Sequence, residues 1–232
     1  MIRAMVIAVL HCAGVLAQHA HDLTTACPLP RGATLAVGFL GGVEHWNDEH
    51  RSVRKLVLEM RTWPGVSAEV IENRRRRMAI KLIRRALDTN RNGRLEPSEK
   101  ANARIILFGQ SLGGAAAIDT ARDLRRMGIP VMLTIQVDSV GVRDGVIPDN
   151  VEAAVNFFQH DPFTIWGRRE IHAANPARTR ILGNFASTYI TQSPGADASW
   201  ARRTFGGSHA KMEADPEVWG RVRQYIKDAV PR

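Results

Sequence analysis

The chain has 232 residues, 44% hydrophobic and 24% charged, the balance of a globular protein, which excludes a disordered one. No apolar run reaches the roughly 18 to 20 residues of a bilayer-spanning helix, which excludes a polytopic membrane protein. Two cysteines, Cys12 and Cys27, exclude a multi-disulfide scaffold or a four-thiolate zinc site, and the net charge of +9 bears on encounter and solubility rather than fold.

The first segment is residues 1–17. Met1-Ile-Arg3 and the apolar stretch from Ala4 to Ala17 have the positive start and apolar middle of a secretory signal peptide. Val15-Leu16-Ala17 suits cleavage after Ala17, so a secreted or periplasmic protein is expected, with residues 18–232 forming one domain. His11 interrupts the apolar middle, and the alternative is a buried first strand or helix of a cytoplasmic protein. Residues 34–39 then read as a buried strand ending in Gly38-Phe39-Leu40-Gly41-Gly42. A helical pattern through Val53, Leu56, Val57 and Met60 is broken by Trp63-Pro64-Gly65. A second strand is expected at 66–71, a basic helix at 74–87, a polar loop at 88–99 and a third strand at 104–108. Helix 111–126, strand 130–137, a last strand at 151–158 and a closing helix at 215–230 complete the chain. Strands alternating with helices predict an α/β fold: a mostly parallel sheet with helices on both faces.

Between the third strand and its helix stands Gly109-Gln110-Ser111-Leu112-Gly113, a Gly-x-Ser-x-Gly motif. A serine on a sharp strand-to-helix turn leaves no room for side chains two residues before and after it. The helix that follows aims its first N–H groups at a developing oxyanion. Chance alone supplies only about 0.08 such matches in a chain of this length. The bland alternative is a glycine-rich turn whose serine caps the helix.

The motif in this setting resembles the α/β-hydrolase superfamily, in a compact, esterase- or lipase-like form covering most of residues 33–230. The resemblance implies the chain order serine, acid, histidine, with one oxyanion donor on the residue after the serine, here Leu112. A second donor is implied in the loop after an earlier strand. Gly38-Phe39-Leu40-Gly41-Gly42 is similar to the His-Gly-Phe loop of pancreatic-type lipases, with Val37 where that loop has histidine. Phe39 is the preferred donor there and Leu40 the alternative.

Of eight histidines, His160, His172 and His209 follow Ser111. His209, in the glycine-containing Phe205-Gly206-Gly207-Ser208-His209 and expected in a loop before the last helix, is the preferred general base. Asp138, at the end of the next strand, is preferred as the acid over Asp161, one strand further on. Asp138 resembles the acid of pancreatic-type lipases in that position.

Asp88-Thr-Asn90-Arg-Asn92-Gly93-Arg94-Leu95-Glu96-Pro-Ser-Glu99 matches a twelve-residue EF-hand loop. Asp88, Asn90, Asn92, the Arg94 carbonyl, Glu96 and the bidentate Glu99 would supply the oxygens a calcium ion needs. Arg91 and Arg94 oppose the three carboxylates and no second loop is present, so affinity is expected near 10⁻⁴ to 10⁻³ M, with a structural role for the ion. Arg74 to Arg77, Arg84 and Arg85 read as a solvated face, or as one attracted to an anionic envelope; without interleaved aromatics they do not suggest nucleic acid. The reading is a secreted, calcium-stabilised serine hydrolase acting on a small-molecule or lipid ester without an organic cofactor. A thioesterase or acyltransferase would use the same residues, and a non-catalytic calcium-binding module is the alternative from another class.

Overall fold

The computed structural model describes residues 18–161, 165–189 and 207–231; the expected signal peptide lies outside them. Six strands pair in parallel throughout, in the order β2-β1-β3-β4-β6-β8. They are β1 (Thr34–Leu40), β2 (Val66–Glu72), β3 (Ile105–Gln110), β4 (Val131–Val137), β6 (Val151–Gln159) and β8 (Arg180–Ser187). Between them β5 (Val146–Ile147) and β7 (His172–Ala173) make a separate two-stranded ladder. The helices are α1 (Ser52–Met60), α2 (Arg76–Leu87), α3 (Pro97–Ala101), α4 (Leu112–Arg126), α5 (Gly207–Ala214) and α6 (Pro216–Ala229).

A parallel sheet covered on both faces needs strands that are apolar on both sides, and β1 is buried at every residue. Its side chains alternate. Leu35, Val37 and Phe39 join the core under α2 and α4, whereas Ala36 and Leu40 join the core under α1 and α6. The open edge of β2 is covered by the segment that precedes β1. The Gln18 side chain donates to Val70 O (2.7 Å) and accepts from the Glu72 N–H (3.2 Å), taking the place of a strand partner. Glu69 Oε1 accepts the N–H groups of Thr24 and Thr25, both at 2.6 Å. Arg74 and Arg76 turn onto Glu72 and Asp123, so two of the six expected surface arginines are engaged in ion pairs.

Three elements differ from the expectation. The strand at β6 is not the last: β8 follows it at the sheet edge. Its sequence, Arg-Ile-Leu-Gly-Asn-Phe-Ala-Ser, is broken by Gly183 at φ 154° and pairs with β6 through a register irregularity, so no clean apolar alternation marks it. His209 lies within α5, in its first turn, rather than in a loop. β3 runs through Gly109 to Gln110 instead of stopping at the glycine.

All six strand ends emerge at one edge. Between β1 and β3 the connections diverge, β1 leading outward to β2 and β3 toward β4. In parallel sheets such a crevice is where ligands sit. β1, β3 and α4 approach so closely there that a methyl group on Gly113 would lie 2.1 Å from Phe39 O, and one on Gly109 2.4 Å from Gly113 C. Both obstacles are backbone and cannot rotate away. Gly113→Ala is therefore expected to cost about 3 kcal/mol, the upper end of overpacking, read as a lower urea midpoint at unchanged m-value.

Candidate active site

Ser111 occupies the turn between β3 and α4 with φ 57° and ψ −128°, a conformation that non-glycine residues rarely adopt. It is the N-cap of α4, yet its hydroxyl makes no capping hydrogen bond. Ser111 Oγ lies 2.9 Å from His209 Nε2, and His209 Nδ1 lies 2.6 Å from Asp138 Oδ2. Serine, imidazole and carboxylate thus form one hydrogen-bonded chain drawn from three segments far apart in sequence. In this arrangement the carboxylate fixes the tautomer and orientation of the ring, and the other ring nitrogen can take the hydroxyl proton.

Asp138 is fully buried, just past the end of β4, with φ 45°. Besides His209, it accepts the Gln159 backbone N–H at Oδ1 (3.2 Å) and the Gln159 side-chain amide at Oδ2 (2.9 Å). A methyl group on Gly167 would stand 2.0 Å from Asp138 Oδ1, so the loop after β6 lies directly on the carboxylate. Asp161, the alternative acid, is turned elsewhere. It accepts the Thr188 hydroxyl (2.8 Å) and the Tyr189 N–H (2.6 Å), and the Ser208 hydroxyl beside His209 also binds it. Burial works against its charge, but these bonds and the nearby Lys211 outweigh it and hold the carboxyl below the usual range. Asp161 therefore fastens the His209 segment to the end of β8, while Asp138 faces the ring. His160 packs against Trp166 in a tilted ring contact (centroids 4.1 Å apart), and His172 is an exposed residue of β7.

Leu112 is the first residue of α4, where a helix has N–H groups that no intrahelical carbonyl reaches. Phe39 is fully buried inside β1, paired with Ile71 on one side and Gly109 on the other, and Leu40 is the last residue of the strand. The residue of that loop beside the serine is Gly41: a methyl group there would lie 3.0 Å from Ser111 Cβ and 2.6 Å from Gln110 Oε1. The Gly41 N–H donates to Glu44 Oε2 (3.0 Å), and Arg51 holds Glu44 Oε1 at 2.6 Å. Burial pushes the Glu44 carboxyl above the usual range despite Arg51. Gln110 Nε2 approaches His209 Nε2 to 3.3 Å.

In the 88–99 loop, Asp88 Oδ2 accepts the Gly93 N–H (2.8 Å), and Gly93 has φ 80°. Glu99 Oε1 accepts the Thr89 N–H and hydroxyl, both at 2.7 Å, and Glu99 Oε2 the Glu96 N–H (2.9 Å). These bonds hold its carboxyl below the usual range, the Thr89 hydroxyl contributing most. The Asn90 and Asn92 side chains accept N–H groups of Asn92 and Arg94 within the loop. Among the described residues, no three acidic, histidine or cysteine side chains gather closely enough to hold a metal.

Sequence reasoning missed Gln159, Gly167 and Ser208. A glutamine ending a strand, a glycine in a loop and a serine before a histidine carry no local signature. Their roles come from where β6 and α5 meet Asp138 and Asp161.

No family model matches the chain, and no curated protein matches it. Among solved structures, it is similar to the RedJ thioesterase from the prodiginine biosynthetic pathway of Streptomyces coelicolor. The TM-score is 0.45 and the sequence identity 13%, over 95% of this chain and 99% of that one.

The two aspartates are expected to separate on mutation. Asp138→Asn, which presents the wrong partner to the ring, should lower the reactivity of Ser111 about 10³- to 10⁴-fold, far out of proportion to the stability lost when an amide N–H faces the Gln159 donor. Asp161→Asn should act mainly on stability. A carboxyl whose pKa is lowered by folding stabilises above its unfolded pKa, and that contribution disappears as pH falls through the folded value. Melts from about pH 7 to pH 3 should show wild type losing its advantage over Asp161→Asn on acidification.

Proposed function

We propose that the protein is a serine hydrolase of α/β-hydrolase type that cleaves a carboxylic ester through an acyl-enzyme intermediate. The observation that carries this reading is the chain Ser111 Oγ, His209 Nε2 and Nδ1, Asp138 Oδ2, with contacts of 2.9 and 2.6 Å. In the first half-reaction His209 takes the Ser111 proton as Oγ bonds to the ester carbonyl carbon, giving a tetrahedral oxyanion. The ring then returns that proton to the leaving alcohol as the carbon–oxygen bond breaks. In the second half-reaction the same ring takes a proton from water, which attacks the acyl carbon, and gives it back to Ser111 Oγ as the acid departs.

The oxyanion needs donors where its charge develops. The Leu112 N–H at the head of α4 suits this role, and Gly41, flanking Ser111, is better sited for the second donor than Phe39, whose place is inside the sheet ladder. Glu44 holds the Gly41 N–H in the free protein, so this donor would have to change partner as the oxyanion forms.

The test is intact mass after treatment with a fluorophosphonate. Wild type should gain one adduct, and Ser111→Ala should gain none while keeping its melting temperature. His209→Ala should label at least about 10³-fold more slowly, since each triad member acts through the others. A folded wild type that takes no label would favour a binding module instead. Ester and thioester substrates compared side by side would then assign the leaving group.

We also propose that the 88–99 loop takes calcium. Its donors are oxygens throughout, which suits a hard cation, and the Asp88–Gly93 bond with Gly93 at φ 80° gives the tight turn such loops need. Asp88, Asn90, Asn92, the Arg94 carbonyl, Glu96 and Glu99 would hold the ion once Glu99 exchanged its bonds to Thr89 and Glu96 for it, and the ion would cross-link the chain rather than take part in the chemistry. With a Kd near 1 mM, 10 mM calcium should add about 1.4 kcal/mol, seen as a rise in melting temperature that magnesium does not reproduce. Glu99→Gln should abolish the rise.

A further inference from the structure

Gln159, the last residue of β6, is fully buried, and every polar atom of its side chain has a partner in or beside the acid's pocket. Its Nε2 donates to Asp138 Oδ2 at 2.9 Å and to the Ile165 carbonyl at 2.5 Å, and its Oε1 accepts the Asp161 N–H at 3.0 Å. Two acceptors at one end and a donor at the other fix which way round the amide lies. Its backbone N–H adds the bond to Asp138 Oδ1. One residue thus touches both oxygens of the carboxylate and ties them to the loop that lies on top.

We propose that Gln159 is the positioning residue of the triad acid, holding Asp138 so that an oxygen lone pair of Oδ2 faces His209 Nδ1; this rests on the serine-hydrolase reading above. The chemistry of the amide suits that task. A buried carboxylate needs donors to offset its lost hydration, yet it must keep its negative charge for the imidazolium that forms beside it. A lysine or arginine at 159 would neutralise that charge, and an acid would compete with Asp138 for a proton. A neutral donor with two N–H groups does neither. It also couples the two aspartates. The amide that grips Asp138 accepts from the backbone of Asp161, whose carboxylate binds Ser208 beside His209. Acid and base are thereby referenced to the same side chain.

Among the described residues, the charged and titratable groups facing this cluster are His160 and Asp161 just after β6, Asp144 and Arg168 beside the β4 loop, Tyr189 after β8, and His209 and Lys211 from α5. Arg168 is paired to Asp144 at 3.1 Å, so it does not offset a charge placed at 159.

The experiment compares wild type with Gln159→Glu, nearly identical in shape, and Gln159→Leu, which removes the amide bonds. Three quantities are measured: melting temperature, the pH dependence of fluorophosphonate labelling, and the downfield proton resonance of the His209 Nδ1–H···Asp138 hydrogen bond. With Gln159→Glu, the two buried carboxyls share a proton at low pH, and once it leaves, the second negative charge keeps the imidazole protonated to higher pH. The acid limb of labelling should move up by about one pH unit, leaving a loss that approaches about tenfold on the acid side and recovers in alkali. With Gln159→Leu the loss should be at least tenfold at every pH, and the downfield resonance should broaden or disappear. A merely structural role would lower the melting temperature without moving the acid limb. Folded variants that label within twofold of wild type at all pH values, with the downfield resonance unchanged, would overturn the proposal. A wild type that takes no label would remove the hydrolase reading, while the resonance would still decide whether Gln159 holds Asp138.

Discussion

The turn at Ser111 is the constraint on which the other parts depend. A serine at φ 57° is strained, and the cost persists only where the surrounding chain leaves no alternative. Here the enforcement is backbone against backbone. Gly109 and Gly113 bring β3 and α4 into contact on either side of the serine, and Gly113 also abuts Phe39 O in β1. Any side chain at either glycine would push α4 away from the sheet. The same compression lifts Ser111 Oγ clear of the helix cap, so the hydroxyl meets His209 rather than an N–H of its own helix.

The turn at Asp138 repeats the pattern in a different material. Asp138 also takes a positive φ, and its charge is fully buried. Packed glycines cannot stabilise a carboxylate, so this turn is held by hydrogen bonds: two from Gln159 and one from the ring. A buried charge left with one partner fewer becomes costly, which is why the network around it is closed by many short links. Asp161 carries part of that closure. By binding Ser208, Thr188 and the Tyr189 N–H it brings α5 and the end of β8 to the mouth of the β6 loop. Tyr189 in turn donates its hydroxyl to Asp215, the N-cap of α6, and its carbonyl accepts from Lys211 in α5. The helix bearing the histidine is thus held from both ends.

Much of the central sheet was legible because local rules and global fold agree there. β1 and β3 are short apolar runs with a glycine at or near the end, and α4 and α6 show one apolar face each. Ser111, Asp138 and His209 were legible as candidates for the same reason: each sits next to a recognisable strand or helix boundary. The edge strand β8 was not, because an edge strand is half-buried and tolerates Arg180, Gly183 and Asn184, which erase the alternation. The sequence ranked Asp138 above Asp161 only by resemblance, not by the tasks their surroundings give them. Both are aspartates just past strand ends, and their difference arises from which neighbouring segments, β8 and α5 above all, reach each carboxylate. The second oxyanion donor turns on the same logic. Where β1 ends decides whether a loop N–H is free, and the strand runs on to Leu40.

The position of the 88–99 loop also limits what an ion could do there. The loop joins the C-terminal end of α2 to α3, and the chain then enters β3 at Ile105. It therefore belongs to the edge of the sheet where strands begin, whereas Ser111 lies just past the other end of β3. Five residue steps of a parallel strand at about 3.3 Å each put roughly 17 Å of sheet between the two edges. A charge at that distance from a reaction centre is screened by solvent on one side and acts through a rigid strand on the other. Leu95, packed against the core beneath α2 and α4, is the mechanical link between loop and fold. Any dependence of activity on calcium would therefore travel through the seating of α2 and β3, and should follow stability in step rather than alter the pH profile of the serine.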